Sequence, residues 1–211
     1  MQNTSHAVMA QRHEPMDSLD DFPTPPWATR ALIEKVFIDF MGWDIMTLNM
    51  RTCLEPACNR GYMSKVLREY FRTVSSSDVH DYGYGGVSDF TDEFLYYPDH
   101  DWVITNPPFK LAETFIHRAK SVAGTGIAML TRTSFLEGVG RYERIFKEDP
   151  PTIVAQFSER VPMVKGRYDP KASTATSYCW LVWVNSCFDD APQIMWIPPC
   201  RKELEKESDY V

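Results

Sequence analysis

An apolar run, Trp102-Val103-Ile104-Thr105, leads directly into Asn106-Pro107-Pro108-Phe109. Two consecutive prolines fix φ and remove two backbone donors. What the segment offers is acceptors: the side-chain oxygen of Asn106 and the carbonyl of Pro107. A rigid pair of acceptors suits a partner that presents two N–H groups, and the exocyclic amine of adenine is such a partner. Its lone pair is delocalised into the ring and is a poor nucleophile. Accepting both protons localises the pair and aims it at an electrophilic methyl group. Phe109 adds an aromatic face on which an extruded base can stack. Asn106, Pro107, Pro108 and Phe109 are therefore the expected catalytic residues, against the plainer reading of a proline-stiffened loop with a buried phenylalanine.

Other chemistry-bearing residues also fall where apolar runs end. Thr52-Cys53-Leu54 runs into Glu55-Pro56-Ala57-Cys58-Asn59-Arg60-Gly61, and a helical pattern follows at once. A glycine in such a turn lets backbone approach a ligand closely and tolerates positive φ. The segment is not the glycine fingerprint of a pyrophosphate site. Glu55 would repel a phosphate, so the turn suits a cation or a neutral ribose. Thr73-Val74-Ser75-Ser76-Ser77 ends at Asp78, a placement suited to ribose hydroxyls. Asp78-Val79-His80-Asp81 lacks the further ligands a metal would need. Gly83, Gly85 and Gly86 read as a flexible loop.

The elements that position these residues follow from periodicity. Phe22-Pro23-Thr24-Pro25-Pro26-Trp27 opens a helix whose stripe is Ile33, Val36, Phe37, Phe40 and Met41. Met63, Val66, Leu67, Tyr70 and Phe71 mark a second helix, and Ala112, Phe115, Ile116 and Ala119 a third. Tyr142, Ile145 and Phe146 suggest a short one. Ile127–Leu130 reads as a buried strand. Ile153–Phe157 and Tyr178–Val184 read as strands with nothing helical between them, hence an antiparallel hairpin. Strands alternating with helices imply a mostly parallel sheet with helices on both faces. The expected fold is α/β, with seven strands and a C-terminal hairpin.

Composition bounds the rest. The chain has 211 residues and suits one domain. Residues 1–21 read as a flexible arm, 22–200 as the domain, and 201–211 as a charged tail. There is no apolar run long enough for a membrane span, and no secretory core at the N-terminus. The default compartment is the cytoplasm, and no membrane partner is expected. Cys53, Cys58, Cys179, Cys187 and Cys200 are odd in number and carry no C-x-x-C spacing, against both a disulfide framework and a zinc knuckle. A net charge of −7 argues against a protein that coats nucleic acid, but not against an enzyme with a local basic face.

Taken together, Thr24-Pro25, Glu55-Pro56-Ala57-Cys58 with Gly61, Asp78, Asp89-Phe90 and Asn106-Pro107-Pro108-Phe109 resemble the amino-methyltransferases, specifically N6-adenine DNA methyltransferases. Their order is similar to the gamma arrangement and to small phage-type enzymes, and the likeness spans residues 22 to about 184. It implies a Rossmann-like class I methyltransferase fold and S-adenosyl-L-methionine as cofactor. It places Thr24, Pro25, Glu55, Pro56, Ala57 and Gly61 around the cofactor's methionine end, and Asp78 at its ribose. Asp89 and Phe90 fall at its adenine, and Asn106, Pro107 and Phe109 at the target amine. It implies DNA as partner, in a bacterial or phage-infected cell. Two departures stand out: Asn59 where many relatives have glycine, and Phe109 where tyrosine is common. Asn tolerates left-handed backbone, and phenylalanine keeps the stacking face.

No segment after Val184 is long enough for a target-recognition domain. The substitute expected from the sequence is the connection from Glu159 to Lys171, where Lys165, Arg167, Tyr168 and Lys171 are candidate nucleic-acid contacts. A second copy or a partner subunit would be another source of recognition. RNA adenine, a protein glutamine amide, and a catalytically inactive cofactor-binding subunit are the competing readings. The tyrosine usual in glutamine-directed enzymes makes Phe109 favour a base.

Overall fold

The computed structural model describes residues 20–169, 171–185 and 191–210. Most of the expected arm, residues 1–19, lies outside them, as do Cys187 and Pro170. In chain order the main elements are α1 (Pro26–Ala31), α2 (Ile45–Leu48), β1 (Thr52–Glu55), α3 (Tyr62–Leu67), β2 (Thr73–Asp78), β3 (Gly86–Val87) and β4 (His100–Thr105). They continue with α4 (Ala112–Val122), β5 (Ala123–Arg132), α5 (Val139–Arg141), β6 (Ile153–Phe157), β7 (Tyr178–Val184), β8 (Gln193–Ile197) and α6 (Arg201–Leu204).

The strands form one eight-stranded sheet in the order β3-β2-β1-β4-β5-β7-β6-β8. Only β7 runs against its neighbours, pairing antiparallel with β5 and with β6. The architecture is the expected one with an eighth strand. Gly86–Val87, read from the sequence as flexible loop, pairs in parallel with Ser77 and Asp78. Gly85 permits this approach: a Cβ there would lie 2.7 Å from the Ser76 carbonyl oxygen.

Alternation along the strands divides the core into two layers, because successive side chains point to opposite faces. In β7, Tyr178, Trp180, Val182 and Val184 join the layer under α1 and α3, while Cys179, Leu181 and Trp183 join the layer under α4. β4 divides in the same way, with Trp102 and Ile104 on one side and Val103 on the other. Burying some two dozen large side chains in the first layer and about a dozen in the second, at roughly 1.5–3 kcal/mol each, explains why the short helices hold their places.

α1 continues as a π-helix over Leu32–Phe40. Its wider winding, seen in the Met41 N–H donating to the Val36 carbonyl at 2.9 Å, carries the later residues off the core face. Ile33, Val36 and Phe37 of the expected stripe are buried, but Phe40 is exposed and Met41 only half-buried. The short helix before β6 is also π-wound, and of its expected stripe only Ile145 is buried.

Both ends of the described chain are fastened. Asp20 and Asp21, assigned by composition to the arm, hydrogen-bond to the body of the domain. The charged tail is likewise docked. Arg30 is buried in α1 and pairs with Glu69 at 2.6 Å and with Asp209 at 2.7 Å. A buried guanidinium requires such partners. The four described cysteines are free and buried. No helix among the described residues is long and apolar enough to cross a membrane.

Candidate functional site

Strand order reverses between β1 and β4, which lie side by side while their chain connections leave in opposite directions. At such a switch point, the loops beyond the carboxyl ends of the strands separate and leave a crevice. Here β1 ends in Glu55, β2 in Asp78, and β4 runs into Asn106. A cavity of about 380 Å³ opens between them. Thr24, Glu55, Pro56, Ala57, Asp78, Asp89, Phe90, Asn106 and Pro108 of the expected site line it.

The turn after β1 is held by backbone and side chain together. Asn59 is the only described non-glycine residue with positive φ, at 48°. Its N–H donates to Asp78 at 2.9 Å, and its side-chain amide donates to Asp21 at 2.7 Å. Asparagine at this position thus supplies the left-handed turn that glycine would give, and adds a tie to the N-terminal segment. Arg60 donates to both Asp21 oxygens, at 2.7 and 3.0 Å. Burial raises the Asp21 carboxyl, but the hydrogen bonds and charge from Arg60 and the Asn59 amide outweigh it and hold the group below its ordinary value.

Gly61 and Pro25 do not line the cavity. Gly61 sits at φ 79°, and a Cβ there would fall 2.5 Å from the ring of Tyr84. The left-handed backbone and the packed tyrosine each call for glycine here. Pro25 caps α1.

Glu55 is buried at the cavity floor and accepts a hydrogen bond from Ser64. Burial drives its carboxyl up to about 8; the Ser64 hydrogen bond opposes the shift and the Asp78 charge adds to it. At neutral pH the free site therefore holds Glu55 largely protonated, and a cationic ligand group would recover its charge. Asp78 accepts from Asn59 and, at 3.1 Å, from the His80 N–H. Asp89 turns one oxygen onto Thr91, accepting from its N–H at 2.8 Å and its hydroxyl at 2.7 Å.

Asn106 carries the most informative geometry. Its Nδ2 donates to the Phe22 carbonyl and to Thr24 Oγ1, each at 3.1 Å, and contacts Met163 Sδ at 3.6 Å. A carbonyl can only accept, so the Phe22 contact fixes which end of the amide is nitrogen. The other end, Oδ1, is buried and has no hydrogen-bond partner. Leaving a buried acceptor unpaired costs about 1–3 kcal/mol, and a ligand N–H would recover it.

The Asn-Pro-Pro-Phe segment separates two hollows. Asn106 and Pro108 face the larger one. Pro107 and Phe109 face a second, of about 200 Å³, beside Thr131, Arg132 and Ser134. The Phe109 ring lies 5.3 Å from Phe22 and 6.5 Å from Tyr178, and its N–H donates to Asp20 at 2.8 Å. The ring face expected to be open is covered: Arg132 Cζ stands 3.8 Å from its centroid.

The basic loop after β6 folds toward the mouth of the larger cavity. Gly166 N–H donates to the Asp21 carbonyl at 2.8 Å, and Tyr168 packs on Tyr62, a cavity residue, at 5.3 Å. Arg167 pairs with Asp169 at 3.2 Å, Lys165 is half-buried and Lys171 is exposed. Arg160 donates to Ala175 and Ser177, so it ties the loop to itself. Sequence reasoning missed Asp20, Asp21, Tyr62, Tyr82 and Arg132. Of these only Arg132 left a signal, since it too ends an apolar strand.

This arrangement, a doubly wound sheet with its crevice at the β1/β4 switch point, is the Rossmann-like methyltransferase fold. Structural comparison bears this out. A provisionally assigned RNA methyltransferase from Pyrococcus horikoshii superposes with a TM-score of 0.58 at 13% identity, over 82% of this chain and 90% of that one. The modification subunit of a provisionally assigned type I restriction enzyme from Vibrio vulnificus gives 0.55 at 12% identity, over 90% of this chain and 51% of that one. The M protein of the type I restriction enzyme EcoKI gives 0.55 at 12% identity, over 80% and 45%. The chain thus spans about half the length of these two subunits. No family model and no curated protein sequence matches the chain.

Proposed function

We propose that the protein transfers a methyl group from S-adenosyl-L-methionine to the N6 amine of adenine in DNA. The observation that carries this reading is Asn106 Oδ1, a buried acceptor without a partner on an amide oriented by Phe22 and Thr24. The fold shared with modification subunits supports it, as does the motif order.

The larger cavity fits the cofactor in kind. Asp78 suits ribose hydroxyls, Asp89 has one oxygen outside its Thr91 turn for an adenine amine, and Glu55 suits a cationic group. Pro56, Ala57 and Phe90 supply apolar wall, and about 380 Å³ is of ligand size. When bound, the cofactor supplies a methyl group activated on sulfonium sulfur. The chain's own contribution is to the acceptor. Asn106 Oδ1 takes one N–H of the target amine, and the Pro107 carbonyl takes the other. Hydrogen bonds from both N–H groups turn the nitrogen lone pair toward the methyl donor, and the methylated nitrogen then releases one of its two protons to solvent. Phe109 positions the base by stacking.

Lys165, Arg167, Tyr168 and Lys171 are the proposed DNA contacts beside the mouth. With few groups able to reach base edges, at about 1–3 kcal/mol of discrimination each, the recognised site is short or degenerate unless a second copy or a partner subunit adds to it. The test is methyl transfer to mixed-sequence duplex DNA, with RNA and protein as parallel acceptors, followed by mapping of modified adenines. Transfer to RNA or protein alone would overturn the DNA assignment. Unaltered transfer by Asn106→Ala would overturn the mechanism.

A further inference from the structure

The cover on Phe109 bears on how a base would enter. Arg132 is the last residue of β5 and pairs in register with Tyr178 of β7. Its side chain is exposed, and its guanidinium lies over the Phe109 ring at 3.8 Å, a stacking distance. The rest of the ring is engaged by Phe22 and Tyr178, and Phe109 packs against the core. No carboxylate among the described residues pairs with Arg132; besides the Phe109 ring, its guanidinium is hydrogen-bonded to the Tyr178 side chain. Its neighbours Arg141 and Arg144 are both committed, through Glu113 and, for Arg141, through backbone carbonyls as well. Arg132 therefore combines an unneutralised charge with a position that a stacking base would have to take.

We propose that Arg132 is a displaceable cap on Phe109. Its guanidinium covers the ring in the free protein, gives way to the extruded adenine, and then contacts the phosphate of the extruded nucleotide. This role rests on the adenine-methylation reading. A cation–π contact at an exposed site is weak, whereas stacking of a base on an aromatic ring is stronger, so the exchange runs toward the base. Release of the guanidinium beside the hollow lined by Pro107, Phe109 and Ser134 places a fork of donors where the backbone of an extruded nucleotide has to pass. One residue thus shields an apolar face before the encounter and adds a phosphate contact after it.

The two halves of this role have opposite signs, which makes them separable from a structural one. The experiment compares the wild type with Arg132→Ala and Arg132→Lys. It measures the affinity for deoxyadenosine, which has no phosphate, and for adenine-containing duplex DNA over a range of salt. Arg132→Ala is expected to bind deoxyadenosine several-fold more tightly and DNA several-fold more weakly. The slope of log K for DNA against log salt should fall by about one. Arg132→Lys should keep the salt slope while binding deoxyadenosine more tightly than the wild type, because an ammonium stacks less well than a planar guanidinium. Weaker binding of both ligands by Arg132→Ala would make Arg132 a structural support and overturn the proposal, as would no change in either. Should Arg132→Ala fail to fold, the lysine variant decides: a reduced salt slope, or unchanged deoxyadenosine affinity, overturns the proposal. Wild-type protein that methylates no DNA adenine would instead overturn the reading on which the role rests, whatever the variants do.

Discussion

Asn106 and Thr24 are 82 residues apart in sequence, yet Asn106 Nδ2 donates to Thr24 Oγ1 at 3.1 Å. The hydroxyl and the Phe22 carbonyl together aim the unpaired Asn106 oxygen. Thr24→Val should therefore act on Asn106 and lower kcat by the worth of one hydrogen bond, about 0.5–1.5 kcal/mol or two- to tenfold. Cofactor affinity should change less. Steady-state kinetics with a binding measurement checks this. Lost affinity with kcat intact would make Thr24 a cofactor ligand and not a positioning residue.

Glu55 makes the free protein's stability depend on pH in a direction opposite to that of most carboxylates. Its folded value, about 8, lies above its ordinary value of 4.5. The stabilising contribution is full below the ordinary value and is lost as pH rises through the folded one. Melting without cofactor should show a loss of up to about 1.4 kcal/mol per pH unit across that window. Glu55→Gln should flatten the profile and weaken cofactor binding. A flat wild-type profile would mean that Glu55 stays charged and paired.

Cofactor affinity should follow the same proton. If the ligand's cationic group draws charge back onto Glu55, binding releases a proton. Wild-type affinity should then rise between pH 6 and 8, by at most about tenfold per unit, and Glu55→Gln should lose that rise. Calorimetry in buffers of different ionisation enthalpy counts the proton directly. Equal proton release by both proteins would assign it to another group.

Asp78 serves the turn and the ligand together. Its carboxylate accepts from Asn59 and His80 N–H groups at 2.9 and 3.1 Å. Asp78→Ala should cost about 1–3 kcal/mol of cofactor affinity and also lower the melting temperature of the free protein. Asp78→Asn keeps acceptor capacity in one oxygen and should recover part of both. Calorimetric affinity unchanged in Asp78→Ala would remove this residue from the site.

Phe109 tolerates one kind of ring but not every kind. Phe109→Tyr keeps the stacking face and should retain most activity. Phe109→Ala should raise the KM for DNA by the loss of one stacked base, about 1–3 kcal/mol. Phe109→Trp should be impaired, since Phe22 at 5.3 Å and Tyr178 at 6.5 Å flank the ring, and overpacking costs about 1–3 kcal/mol. A tryptophan variant as active and stable as the wild type would show that this packing is loose.

Residue order alone determined the parts whose physics is local. Apolar periodicity marked β4, β6, β7 and the buried face of α4, because each element buries one side against the sheet. Strand ends marked Glu55, Asp78 and Asn106, because in such sheets the residues at and just beyond the carboxyl ends of the strands border the crevice. The tertiary structure decided what depends on segments meeting. Asp20 reaches Phe109 across 89 residues and Asp21 reaches Arg60 across 39; nothing in an acidic N-terminal stretch says which loop it will meet. Gly61 was legible as a special position, and its left-handed turn is local, but the Tyr84 ring packed against it arrives only when β3 pairs with β2. Arg132 covers Phe109 because β5 lies beside β4 in the sheet. Strand order sets such contacts, and strand order is fixed by the summed burial of both core layers, which no local pattern carries.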